Sequence, residues 1–188
     1  MSDDVYSQSP FDVLDKPLSA FYSGWTRDPW AIVIHYSAGY NAETCFRTLE
    51  KRKLSAHATI ERDGTIWKHL PDSDRGIHAG YGRWGGVSNM NHNALGFEIA
   101  NLGPMDGAAP RSIMRDAFDP KRHGVVEHEV DGSSHVWYRN EGGTNILSRA
   151  RCAKFVDHRT DLVSKVWSLY PQRQLEAVFW LVWKWSQK

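Results

Sequence analysis

In the stretch WAIVIHYSAGYN, Trp30 to Asn41, the apolar β-formers Ala31-Ile32-Val33-Ile34 deliver a single histidine, His35, into small and polar residues. A neutral imidazole is a good zinc ligand, and one fixed at a strand end is held rigidly enough to serve. The same position also suits a histidine that only satisfies a local hydrogen bond. Further along, His57, His69, His78, His92 and Glu98 supply a second polar set at strand ends and in a glycine-rich loop. Glu98 lies in GFEIAN, where strand alternation turns Phe97 and Ile99 to the opposite face. It is then either a surface carboxylate or, inside a cleft, a group of the right type to take a proton from water and return it to a leaving amine.

The elements that must position these groups follow from pattern. AIVIHYS is a continuous apolar run of strand length, which predicts a central strand buried on both faces. NAETCFRTLEKRKLS predicts an amphipathic helix capped by Asn41, with Phe46, Leu49 and Leu54 on one side. HATIERDGTIWKHLP predicts two paired strands about Asp63-Gly64, a hairpin signal because both positions tolerate positive φ. The Gly- and Asn-rich DRGIHAGYGRWGGVSNMNHN predicts a long surface loop feeding the strand ALGFEIAN.

Before these elements, residues 1–27 lack periodicity and predict an arm laid on a domain of residues 28–188. Within that domain, 103–169 predicts an elaboration with a hairpin at VVEHEVDGSSHVWYR. Residues 171–187 predict a C-terminal helix begun by Pro171, its apolar stripe formed by Leu175, Val178, Phe179 and Val182. Trp180, Leu181, Trp183 and Trp185 extend that surface, so the helix requires cover on more than one side or presents an interface for a protein partner.

A chain of 188 residues can bury one ordinary core. Its 23 Lys and Arg against 22 Asp and Glu leave a formal charge of +1, which gives no electrostatic reason to expect nucleic acid or an anionic membrane as partner. Two cysteines, Cys45 and Cys152, do not make a disulfide scaffold, although one bridge stays open. The acidic start MSDDVYSQSP has no basic region followed by an apolar core, so no signal peptide is expected and the cytoplasm is the expected compartment, with export by a dedicated system or release by lysis as alternatives. No run approaches the ~20 apolar residues of a membrane span. The nine tryptophans divide between core and flat platforms for sugars and peptides.

Four blocks in this order, VIHYSAG, SAHATIERDGTIWKHLPDSDRGIHAG, NHNALGFEIAN and QRQLEAVFWLVWKW, resemble the type 2 N-acetylmuramoyl-L-alanine amidases, which are related to peptidoglycan recognition proteins and amidase-type phage lysins. The second block is the most specific, with a hairpin Asp-Gly followed at fixed distance by His-Ala-Gly. The resemblance implies an α/β fold with a central mixed sheet flanked by helices, a zinc site in a groove, and hydrolysis of the amide joining N-acetylmuramic acid to L-alanine of the stem peptide. Peptidoglycan or muropeptides are the implied partners. His35 matches the family's first zinc ligand and Glu98 the general base of one branch. Another branch uses a tyrosine where this chain has Ala56. His78 and Asn101 match positions bordering the substrate groove.

In the family, the last helix is followed by Gly-His and then Lys-x-Asp-Pro-Gly, which supply the second and third zinc ligands and an oxyanion-stabilising lysine. No residue up to Lys188 matches them. Three readings stand: a truncated amidase; recruitment of other ligands from His123, His128, His135, Cys152, His158 or Asp161; or a degenerate module that binds peptidoglycan fragments without cleaving them. An interaction protein docking through the Trp-rich C-terminal helix is a reading of a different class.

Overall fold

The computed structural model describes residues 5–25, 27–39, 41–80, 82–101, 104–105, 125–128, 134–139, 147–155 and 165–188. Two compact units divide the chain, Met1–Ala100 with Pro171–Lys188, and Asn101–Tyr170.

The first unit is built on a mixed five-stranded sheet flanked by two helices. Its strands are β1 (Val13–Asp15), β2 (Ala31–Tyr36), β3 (Ala58–Ile60), β4 (Ile66–Lys68) and β7 (Ala94–Ile99), in the order β1-β4-β3-β7-β2. The Asp63-Gly64 turn folds β3 back on β4 as an antiparallel pair, with Gly64 at φ +92°. That turn abuts the start of the C-terminal helix: a Cβ on Gly64 would lie 2.8 Å from the Arg173 carbonyl oxygen. The pairs β2 with β7, β3 with β7 and β1 with β4 are parallel. A two-stranded ribbon, β5 (Arg83–Trp84) with β6 (Val87–Ser88), turns at Gly85 and Gly86 within the glycine-rich loop.

Residues read as an arm contribute β1 to this sheet, and Val5, Tyr6, Phe11 and Leu18 are buried. Three residues of strand are too few for alternation to show in the sequence. A second correction concerns β2. It is the end strand of the sheet, not a central one, and Ile34 and Tyr36 are exposed. The strands buried along their whole length are β3 and β7. A continuous apolar run marks a strand as buriable but cannot tell which strand lies inside the sheet.

Helix α1 (Ala42–Arg52) begins at Asn41, whose side chain accepts from Thr44 N–H at 2.8 Å. Lys53 closes it in the left-handed conformation. Its Cys45 and Leu49 pack with Leu18, Phe46 and Leu54. Helix α2 (Gln172–Ser186) begins after Pro171. Its buried stripe is Gln174, Ala177, Val178, Leu181 and Trp185, rotated from the predicted one; Phe179 is 70% exposed and Leu175 is exposed. The reason is polar. Gln174 Nε2 donates to Ile60 O at 3.1 Å and Ala100 O at 3.0 Å, at the ends of β3 and β7, which turns a glutamine inward. α1 meets the sheet face that bears Thr59, and α2 the face that bears Phe97, where Trp185 lies with its ring centroid 5.7 Å from that of Phe97.

The second unit holds a separate five-stranded sheet of β8 (Pro104–Met105), β9 (Val125–His128), β10 (Ser134–Arg139), β11 (Leu147–Phe155) and β12 (Lys165–Ser168), all antiparallel in the order β8-β12-β11-β10-β9. β9 and β10 pair across the predicted hairpin.

The rotated stripe of α2 is testable by urea denaturation. Gln174→Ala, which strips buried carbonyls of a donor, should cost about 1–3 kcal/mol. Phe179→Ser, on the exposed side, should stay within about 0.5 kcal/mol of the parent.

Candidate functional site

Unbroken parallel pairing places His35 beside Glu98, and Thr59 flanks Glu98 from the other neighbouring strand. Side chains in register on adjacent strands share a face, so these three form one row across the sheet near the carboxyl ends of β2 and β7. In α/β sheets that end is where crevices for ligands open.

Glu98 is buried, 9% exposed, so the surface-carboxylate alternative falls. Alternation directed it away from Phe97 and Ile99 as expected, but α1 covers that second face too. Burial raises its carboxyl from the ordinary 4.5 to about 7, because an apolar surrounding disfavours the charged form. Cys45 lies beside it, its Sγ 3.6 Å from Thr59 Oγ1. Its thiol is pushed up to about 12 by burial first and by the negative charge of Glu98 second. Cys45 is therefore a free, protonated core thiol.

The histidines divide into two classes. His57 Nδ1 accepts from Gly96 N–H at 3.0 Å and its Nε2 donates to Asp74 O at 2.9 Å. With both nitrogens satisfied by backbone and Trp25 stacked on its ring, it fastens the 72–75 turn to the sheet. His69 Nδ1 donates to Lys16 O at 2.6 Å and Nε2 faces Thr59 Oγ1 at 2.8 Å, tying the chain after β1 to β3. Burial lowers both, His69 to about 4. His92 faces Arg75 Nη1 at 3.3 Å and Tyr22 edge to face. His57 and His69 have both ring nitrogens engaged and are not left free for chemistry.

His35 and His78 form the second class. His35 Nε2 lies 3.2 Å from His78 Nδ1, and His78 Nε2 lies 3.2 Å from Ala94 O. Burial lowers His35, and it lowers His78 to about 3 with further help from the positive charges that His57 and His35 could carry. His78 was expected at a substrate wall; instead both its ring nitrogens are engaged within the fold. Asn101, the other expected contact, is 0% exposed and offers a substrate no surface. Ala56, where the other branch has its tyrosine, is likewise wholly buried.

A metal held here needs neutral nitrogen donors, and the burial of His35 supplies one at the rim of the row. One imidazole is a single donor where a catalytic zinc takes three protein ligands, so the described residues do not by themselves fit a zinc site. No group of three or more His, Cys, Asp or Glu side chains arranged to hold a metal occurs among the described residues, and the side chains of His123, His128, His135, Cys152, His158 and Asp161 lie outside them.

Three further residues carry the site without having been singled out in the sequence. Gly96 and Gly76 make room for the His78 ring, and Asn91 Oδ1 accepts from His78 N–H at 2.9 Å and Ala79 N–H at 2.7 Å. A glycine inside a strand pattern is the one signal that could have pointed to Gly96. Elsewhere in the unit a cavity of about 440 Å³ is lined by Trp25, Asp28, Asp72, Leu95, Trp185 and Lys188 among others. It includes none of His35, His78 or Glu98.

The family model described as N-acetylmuramoyl-L-alanine amidase matches residues 25–188, and the chain belongs to that family. It is 25% identical over 124 residues to a Rickettsia conorii protein named as an N-acetylmuramoyl-L-alanine amidase, covering 63% of this chain and 46% of that one. With the N-acetylmuramoyl-L-alanine amidase AmiD of Escherichia coli it shares 28% identity over 79 residues, covering 38% of this chain and 28% of AmiD. The chain thus spans less than half the length of these curated relatives. A solved structure of AmpD aligns with 52% of this chain and 64% of its own, at 21% identity and a TM-score of 0.40. No helix among the described residues is long and apolar enough to cross a membrane.

The raised carboxyl has a thermodynamic signature. Between pH 4.5 and about 7, folded Glu98 keeps a proton that the unfolded chain has released, so its contribution to stability is full below 4.5 and is lost as pH rises through about 7. In metal-stripped protein, the stability of the parent relative to Glu98→Gln should therefore fall by roughly 3 kcal/mol between pH 4 and 8, at ~1.4 kcal/mol per unit. Urea denaturation of both proteins across that range reads the difference directly.

Proposed function

We propose that the chain is a peptidoglycan amidase that hydrolyses the amide between N-acetylmuramic acid and L-alanine of the stem peptide. Membership of the family supports the reaction class. The observation that carries the reading is the register pair of His35 with the buried Glu98. It sets a zinc-type donor next to a carboxyl whose affinity for protons lies near neutrality.

His35 would contribute one neutral ring nitrogen toward zinc, the other donors not being among the described residues. When bound, zinc supplies Lewis acidity toward the amide carbonyl and toward water. Glu98 does the proton work. As a carboxylate it takes a proton from the attacking water, and as the resulting acid it delivers that proton to the leaving nitrogen of L-alanine, so the group ends as it began. A carboxyl near 7 is matched to both halves, because it neither holds its proton too weakly to return it nor too tightly to accept it. The apolar cover from α1 that raises Glu98 also keeps bulk water from its carboxyl.

Three outcomes are expected with soluble muropeptides, followed by the appearance of free L-alanyl amino termini. Release should stop after dialysis against chelator and return with zinc. Glu98→Gln should lower kcat by about 10²–10⁴-fold while muropeptide affinity is kept. In the parent, kcat/KM should rise with pH to a plateau, since the base must be ionised. Retained muropeptide affinity with no release at any zinc concentration would overturn the enzyme and assign the chain to non-cleaving recognition.

A further inference from the structure

The cavity of about 440 Å³ opens at the starting ends of β2 and β7, where Pro29 and Leu95 line it, whereas His35 and Glu98 lie near the other ends of those strands. Trp25 and Trp185 form two of its walls. Both indole N–H groups are turned to Asp72: Trp25 Nε1 donates to the Asp72 carbonyl oxygen at 2.7 Å, and Trp185 Nε1 donates to Asp72 Oδ2 at 3.2 Å. Asp72 is thereby held through backbone and side chain at once. Trp25 is backed by the His57 ring, 6° from parallel with it, so the indole is supported as a flat surface.

The Asp72 carboxylate is unevenly served. Its Oδ2 takes two donors, Trp185 Nε1 and Lys188 Nζ, the second at 2.7 Å. Its Oδ1 is buried and has no hydrogen-bond donor among the described residues, which is costly for a charged oxygen until a donor reaches it. Asp28, the second carboxylate of the lining, is exposed. Two side-chain carboxylates against one ammonium leave the walls in need of positive charge, and an indole face also prefers a cation to a neutral group. Lys188 shows which cation fits: an ammonium on a four-carbon stem. Its side chain is 38% exposed, so it is held at the rim by a single ion pair of the kind that contributes little. With Lys188 in place the cavity is still of the size of small-ligand sites.

We propose that this cavity binds the side-chain ammonium of a lysine in a short peptide. The ammonium sits on Asp72 in the place that Lys188 takes, with Trp25 along its stem and Asp28 as the second anion. Lys188 is then a tethered competitor that keeps the carboxylate paired when the cavity holds no ligand. The site is separate from the row of His35 and Glu98 and does not depend on the reaction proposed there.

The test uses the full chain labelled with 15N. The probe is Nα-acetyl-L-lysine amide, and the control is Nα-acetyl-L-norleucine amide, which has the same stem without the charge. The indole N–H signals of Trp25 and Trp185 report on the site, because both groups donate to Asp72. The lysine amide should move them and the norleucine amide should not. Lys188→Ala, which removes the competitor, should tighten binding about threefold or more, since a tethered group competes at millimolar effective concentration. Asp72→Asn, which keeps an oxygen for Trp185 Nε1 but loses the charge, should weaken binding at least roughly 10-fold. Asp28→Asn, at an exposed position that folding does not depend on, should weaken it roughly 1.5–5-fold. An equal response to the two amides would overturn the cation specificity. Neither indole moving in Lys188→Ala, or binding indifferent to Asp72, Asp28 and Lys188 alike, would overturn the site itself.

Discussion

Six consecutive residue pairs, from Ala31 with Ala94 to Tyr36 with Ile99, join β2 to β7 in parallel. The site depends on that register more than on any single side chain. Side-chain direction alternates along a strand, so a slip of one residue would carry His35 to the face of Phe97 and leave Glu98 beside Ile34 or Tyr36. β7 itself is held in place because it is buried on both faces, and shifting it would take Phe97 from its packing on Trp185. Holding one strand in the middle of the sheet fixes its neighbours on both sides, and with them the row of His35, Glu98 and Thr59.

Burial is also what gives the row its chemistry. The cover that makes β7 a rigid element takes Glu98 out of water, and desolvation alone accounts for its raised carboxyl. The same cover drives the neighbouring thiol of Cys45 far above neutrality, so two groups side by side respond in the same direction to one cause. Removing a carboxyl from water weakens the fold near neutral pH, which a structural position would have no reason to tolerate. A functional site that stores such a cost must recover it from the surrounding packing. Here the packing comes from Phe97, Ile60, Ile66 and Leu70, all nearly or wholly buried.

Polar accounting separates the histidines that build the site from those that belong to it. His57 and His69 exchange hydrogen bonds with backbone or a neighbouring hydroxyl at both nitrogens, and each ties a loop or edge strand to β3 or β7. They serve as staples. His35 and His78 are linked to each other, and His78 is fixed in turn on Ala94 O. Glycines at 76 and 96 are what let the second ring come so close to the strand.

Much of this was legible in the sequence because local chemistry decides it. Asn41 as a cap, Asp63-Gly64 as a hairpin and ALGFEIAN as a strand each follow from interactions within a few residues, and the four family blocks singled out His35 and Glu98. What distant contacts decide was not legible. An apolar run placed β2 at the centre of the sheet, but strand order is set by long-range pairing, and β2 lies at the end. Spacing put Phe179 on the buried side of α2, but the helix turns to bring Gln174 to the carbonyls of Ile60 and Ala100. Asn101 was read as bordering the substrate groove, and it is wholly buried. The sequence by itself determined which side chains are of the right type for a metal and a base. Only the tertiary structure decided that Glu98 sits dry between two strands and that His78 turns back onto Gly96 to face His35, because desolvation and contact are properties of the surroundings and not of the residue.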